Sequence, residues 1–142
     1  MGSKERIAKA LAVSTDTKFF EMGQGAAALA PEVFSRFFPG RRAVIVADLN
    51  TWRVLGEKVY DFFVEAGMPV DRYIIEKEEF HADWKYVEMT DLILRGEYAA
   101  AKALENDSAY EEGDAAEAFR EPSQDWNVLV SVGSGVINDL CK

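Results

Sequence analysis

The run Ala43-Val-Ile-Val-Ala47 constrains this chain more than any other stretch. Its residues are all apolar, three of them β-branched, with no polar alternation. A strand of this kind is covered on both faces, as in a parallel sheet flanked by helices. The following residues agree. Asp48 stands at the C-terminal end of the run, and Asn50 or Thr51 can cap the next helix. Trp52, Leu55, Val59, Phe62, Phe63 and Ala66 then recur as one apolar helical stripe, read as core and not as a platform for bases. Gly67 ends that helix and Pro69 confirms the stop. Arg72 to Glu76 reads as the next strand. Strand, helix and strand joined by short turns make a βαβ unit, with parallel strands and a right-handed crossover.

The flanking chain extends this pattern. Residues 4–13 read as a helix with Ile7, Ala10 and Leu11 on one face. Thr17 to Met22 reads as a strand turned by Gly23-Gln24-Gly25. Ala26 to Phe38 reads as helical, with Pro31 interrupting it and restarting it at the first helical position. Pro39-Gly40 stops it. Glu76 to Asp83 is a polar connection. Trp84 to about Leu104 reads as one helix with Tyr86, Met89, Ile93 and Leu94 on its apolar side. No internal repeat is visible.

A chain of 142 residues is one domain by length, residues 1–142. The net charge of −9 argues against nucleic acid and against an anionic membrane surface as partners. No apolar run approaches the length of a membrane span, and the charged N-terminus lacks a signal-peptide core. Cys141 is the only cysteine, which gives no disulfide framework and fits a reducing cytoplasm. Its plain reading is a small buried apolar residue. Most of the negative charge is local. Between Gly96 and Asp125 nine acids face only Lys102 and Arg120, so this stretch carries −7 of the −9. Residues 96–125 therefore read as an acidic insertion within the domain, in plain terms a solvated one.

The last stretch carries the functional signal. Val128 to Val132 reads as a buried strand, Gly133-Ser134-Gly135 as a tight turn, and Val136 onward as the start of a helix. Glycines let a backbone approach a pyrophosphate, and a helix N-terminus offers free N–H groups and a positive dipole end. The same turn also serves as a plain strand-to-helix connection. Seven residues from Val136 to Lys142 make a marginal helix, and such a helix normally crosses to a further strand. The sequence thus reads as cut at Lys142, with a second half missing that would carry whatever chemistry exists.

Four stretches in order resemble the sn-glycerol-1-phosphate dehydrogenases, which belong with the iron-containing alcohol dehydrogenases, glycerol dehydrogenases and dehydroquinate synthases. Gly133-Ser-Gly-Val-Ile-Asn-Asp139 looks like their Gly-Ser-Gly-Thr-Ile-Asn-Asp signature, with Val136 in place of threonine. Asp16-Thr17-Lys18 and the strand to Gly25 resemble the family's opening strand and turn. Val44 to Thr51 resembles a strand ending in Asp-x-Asn-Thr, and His81-Ala82-Asp83 a His-Ala-Asp stretch. The spacing from Asp83 to Val128 is longer than the family pattern.

The resemblance implies an α/β, Rossmann-like parallel sheet with flanking helices, the N-terminal domain of a dehydroquinate synthase-like fold, with a C-terminal helical domain absent. It implies NAD or NADP as cofactor, with zinc or another divalent metal held only by that absent domain. The substrate would be a small phosphorylated polyol, exchanged between dihydroxyacetone phosphate and glycerol 1-phosphate. It places Gly133, Ser134, Gly135, Val136 and Ile137 at the pyrophosphate, with Asn138 and Asp139 supporting the loop or touching the cofactor. An acid such as Asp139 in a first helical turn is also ordinary dipole chemistry. Asp48, with Asn50 beside it, sits where a carboxylate accepts both ribose hydroxyls and repels a 2′-phosphate, favouring NAD. The plain alternative for Asp48 is the N-cap of the following helix. His81 matches no metal ligand, and no catalytic residue is assigned within the chain. A glycerol dehydrogenase, a dehydroquinate synthase-like enzyme and a non-catalytic nucleotide- or partner-binding domain remain the alternatives. The sequence leaves open whether the protein is a monomer or a homo-oligomer.

Overall fold

The computed structural model describes residues 2–77, 83–107, 125–133, 137 and 141. In chain order these form α1 (Ser3–Val13), a 3-10 turn (Ala26–Leu29), α2 (Ala30–Phe37) and β1 (Ala43–Asp48). There follow α3 (Leu49–Thr51), a π turn (Trp52–Gly56), α4 (Glu57–Glu65), β2 (Val70–Ile75), α5 (Trp84–Leu94), α6 (Tyr98–Glu105) and β3 (Val128–Ser131).

The three strands form one sheet in the order β2-β1-β3, and both pairings are parallel. The βαβ reading of residues 43–76 therefore holds, and the fold is α/β. The central strand is buried from Ala43 to Ala47 because both its edges are paired and both its faces are covered. Val44 and Val46 point to one face, where they meet Tyr73 and Ile75 of β2, Tyr86, Met89 and Ile93 of α5, and Ala101 of α6. Ala43, Ile45 and Ala47 point to the other, toward Phe34 of α2 and Val59 and Phe63 of α4. Full burial of side chains such as Ile45 and Phe63 stabilises the fold by roughly 1.5–3 kcal/mol each.

A polar network closes the N-terminal ends of the strands. Tyr98 donates its phenol to Asp71 Oδ2 at 2.6 Å, and Asn127 Nδ2 donates to Tyr98 Oη at 3.0 Å and to the Ile93 carbonyl at 3.1 Å. Burial first, and the Asp71 hydrogen bond second, push the Tyr98 phenol well above its usual range. These bonds tie β2, α5, α6 and the entry to β3 together.

Several elements differ from the sequence expectations. Residues 17–22 form no strand. This segment lies against α1 and α2 instead. Phe19 packs on Phe37 at 6.5 Å between ring centroids and under Arg36, and Thr17 N–H donates to Ser14 Oγ. Pro31 occupies the second position of α2, one residue later than expected. The helix expected from Trp84 to Leu104 is two helices, because Gly96 adopts φ +77° between them. The glycine turns α6 back along α5. β3 is half-buried throughout, since among the described residues only one of its edges is paired. Of the acidic stretch 96–125, α6 packs into the core, and residues 108–124 lie outside the described residues.

Candidate functional site

The crossover from β1 to β2 runs over the face holding α4, and that from β2 to β3 over the face holding α5 and α6. The first runs from β1 to one side of the sheet and the second from β2 back past β1 to the other side, so the two, on opposite faces, have the same hand. Between the C-terminal ends of β1 and β3 the helices diverge to opposite faces. In open parallel sheets ligands sit in the crevice opened this way. Asp48 ends β1 and Gly133 follows β3. Val46 is in register with Ser131, and the Val132 N–H donates to the Val46 carbonyl at 2.9 Å, so Asp48 and Gly133 each lie two residues beyond that last pair. Neighbouring strands are spaced about 4.8 Å apart.

Asp48 caps the helix that follows, the plain alternative read for it in the sequence, whereas Asn50 and Thr51, the other cap candidates, lie inside the helix. Its Oδ1 accepts the Thr51 backbone N–H at 2.8 Å, and its own N–H donates to Thr51 Oγ1 at 3.0 Å. This reciprocal capping box satisfies two donors that a helix start leaves open. Asp48 is half-buried and Asn50 is exposed. The three-residue spacing of Asp48 and Thr51 is the signal that identifies the pair in the sequence.

Gly133 is exposed, and its lack of a side chain has a definite cause. A Cβ there would lie 2.7 Å from Ile137 Cγ1 and 2.9 Å from Ile137 Cβ. Ile137 is fully buried against the cluster of Val44, Val46, Tyr73 and Ile75. Cys141 N–H donates to the Ile137 carbonyl at 3.2 Å, a helical bond four residues long. The glycine thus lets Ile137 approach directly past the end of β3. Ile137 spends its side chain on the core. Cys141 packs beside the same cluster, and burial pushes its thiol up to about 11. Ser134, Gly135, Val136, Asn138 and Asp139 lie outside the described residues, as does His81.

The helix after β1 departs from the stripe read in the sequence. The π turn rotates it so that Gly56, Val59 and Phe63 are buried. Leu55 is 38% exposed, and Ala66 is also exposed.

A buried carboxylate that the sequence gave no sign of lies at the C-terminal end of β2. Glu105 is fully buried and accepts from Lys102 Nζ at 2.6 Å and from the Glu76 backbone N–H at 2.9 Å. Tyr73 Oη reaches it at 3.5 Å. Burial, followed by the charge of Glu105, raises the Tyr73 phenol far above its usual range. This cluster holds the end of β2. Among the described residues no group of three or more His, Cys, Asp and Glu side chains is placed to hold a metal ion. No helix among them is long and apolar enough to cross a membrane.

The chain matches no protein-family profile, no curated protein and no solved structure.

Proposed function

We propose that this α/β domain binds a dinucleotide across the C-terminal ends of β1 and β3, with a Rossmann-like use of its sheet. It would be the nucleotide-binding part of an NAD(P)-dependent, glycerol-1-phosphate dehydrogenase-like oxidoreductase. The observation that carries this is the position of Asp48 and Gly133, each two residues past Val46 and Ser131, the last paired residues of the neighbouring parallel strands β1 and β3. The resemblance of residues 133–139 to the dehydrogenase signature supplies the ligand class.

The residues fit such a ligand. Gly133 leaves room for the Ile137 side chain at the strand end, and in this reading the backbone N–H groups after Gly133 would serve the pyrophosphate. Ser134, Gly135, Val136, Asn138 and Asp139 complete that turn in this reading. Ile137 contributes only its backbone, because its side chain is in the core. Asp48 accepts the ribose hydroxyls through the carboxylate that Thr51 holds in place, with Asn50 beside it. A fixed negative charge there disfavours a 2′-phosphate, so NAD is preferred to NADP. Bound NAD supplies hydride exchange with C2 of dihydroxyacetone phosphate in the intact enzyme.

Calorimetry with NAD and NADP on the wild-type chain and on Asp48→Ala tests this. NAD binding that weakens at least tenfold in Asp48→Ala is expected. Equal affinity in the two proteins removes the ribose role of Asp48. A wild-type chain that ignores both dinucleotides overturns the reading in favour of a partner-binding domain.

A further inference from the structure

The helix that leaves β1 is irregular at one place. Glu57 N–H donates to the Trp52 carbonyl, five residues back, so residues 52–56 form a π turn between α3 and α4. Such a turn holds one residue more than a regular helix requires, and single π turns concentrate at functional sites. Apolar burial does not account for the extra residue, because the turn directs Val54 and Leu55 outward, 75% and 38% exposed. The inward position goes to Gly56. A Cβ on Gly56 would lie 3.0 Å from the Trp52 ring, 3.4 Å from Ala47 Cβ and 3.4 Å from the Thr51 carbonyl. Ala47 immediately precedes Asp48, and Thr51 is the residue whose N–H holds the Asp48 carboxylate. The Trp52 ring is held in turn by Tyr60 at 5.9 Å and by the Arg72 guanidinium at 5.4 Å.

We propose that the π turn is a positioning device for Asp48, with Gly56 and Trp52 as its positioning residues. The close approach at Gly56 seats the first helical turn against the end of β1. That fixes where the Asp48 carboxylate stands over the crevice between β1 and β3. The inference rests on the dinucleotide reading of that crevice. It adds that the choice between NAD and NADP is set partly by a helix defect that touches no ligand.

Deletion of Val54 tests it. Removing one exposed residue lets residues 49–65 run as a continuous α-helix, with the Asp48–Thr51 cap and the buried Val59 and Phe63 retained. The expected result is an unfolding midpoint equal to or above that of the wild type, NAD affinity at least tenfold weaker, and a lower ratio of NAD to NADP affinity. A well-folded deletion variant with wild-type affinities overturns the proposal. Should the deletion variant not fold, Gly56→Ala gives the answer through the same ratio, which a general loss of stability leaves unmoved. A ratio equal to that of the wild type refutes the positioning role. Asp48→Ala, measured alongside, separates the two ideas. If it binds NAD like the wild type, the ribose reading and this inference fall together. If it loses NAD while the π-turn variants do not, this inference alone falls.

Discussion

Replacing Gly133 with alanine puts one methyl group into space that Ile137 already fills. The new Cβ would stand 2.7, 2.9 and 3.3 Å from Ile137 Cγ1, Cβ and Cγ2. Carbon atoms in good contact are 3.5–4.0 Å apart, so the two must separate by roughly 1 Å. Gly133 is not among the glycines with positive φ, which makes the effect steric and not conformational. Ile137 cannot yield inward, because it is fully buried in the core cluster that includes Val44 and Val46. The helical turn that begins there must therefore lift from β3. Overpacking of this kind costs about 1–3 kcal/mol. For a domain of this size that lowers the unfolding midpoint by about 3–10 °C. Calorimetry and urea unfolding of Gly133→Ala measure it directly. The second arm is a double-mutant cycle with Ile137→Ala, which removes the crowding Cγ1 and Cγ2. A favourable coupling of at least about 0.5 kcal/mol between the two changes is expected. Full stability in Gly133→Ala, or strict additivity in the cycle, would refute the account of this turn.

Two further outcomes follow from the same contacts. Glu105→Ala leaves Lys102, the Tyr73 phenol and the Glu76 N–H without their shared acceptor. Lys102 keeps the Ile74 carbonyl and is partly solvated, so the loss is about 2–4 kcal/mol, below that of a wholly buried pair; a change under about 1 kcal/mol in urea unfolding contradicts it. The Cys141 thiol, pushed up to about 11 by burial, stays neutral near pH 8 in the folded chain. Its alkylation there should run roughly two orders of magnitude slower than that of an unfolded control, as the thiolate fractions require. Because its folded pKa is raised, its contribution to stability is complete below the unfolded value near 8.5 and is lost as pH rises through about 11. Rapid labelling at pH 8, or constant stability across that range, argues against a buried thiol.

Much of the candidate site was legible in the sequence. Asp48 and Gly133 were identified because each closes a run whose hydrophobic pattern is local. Thr51 was named only as an alternative cap, yet its spacing from Asp48 is a capping signature. Gly56 stood inside an otherwise apolar helical pattern, a position where a glycine commonly marks close packing. The stripe containing Leu55 was misjudged because a regular helical period was assumed across it, and a π turn changes that phase by one residue.

By itself the sequence determined β1, the helix after it and their parallel pairing with β2. A five-residue apolar run has to be covered on both faces, and a short βαβ link permits little else. Tertiary structure decided what depends on distant partners. Residues 17–22 have strand chemistry, yet they join no strand, and Phe19 packs on Phe37 of α2. Glu105 looks like one more surface acid in an acidic stretch, and is buried because Tyr73 and the Glu76 N–H, some thirty residues away, converge on it. Gly133 reads as a flexible turn, yet its role is set by the side chain of Ile137 folding back on the end of β3. Local periodicity encodes which elements form. Which of their groups meet is settled only when the sheet closes and the two faces pack.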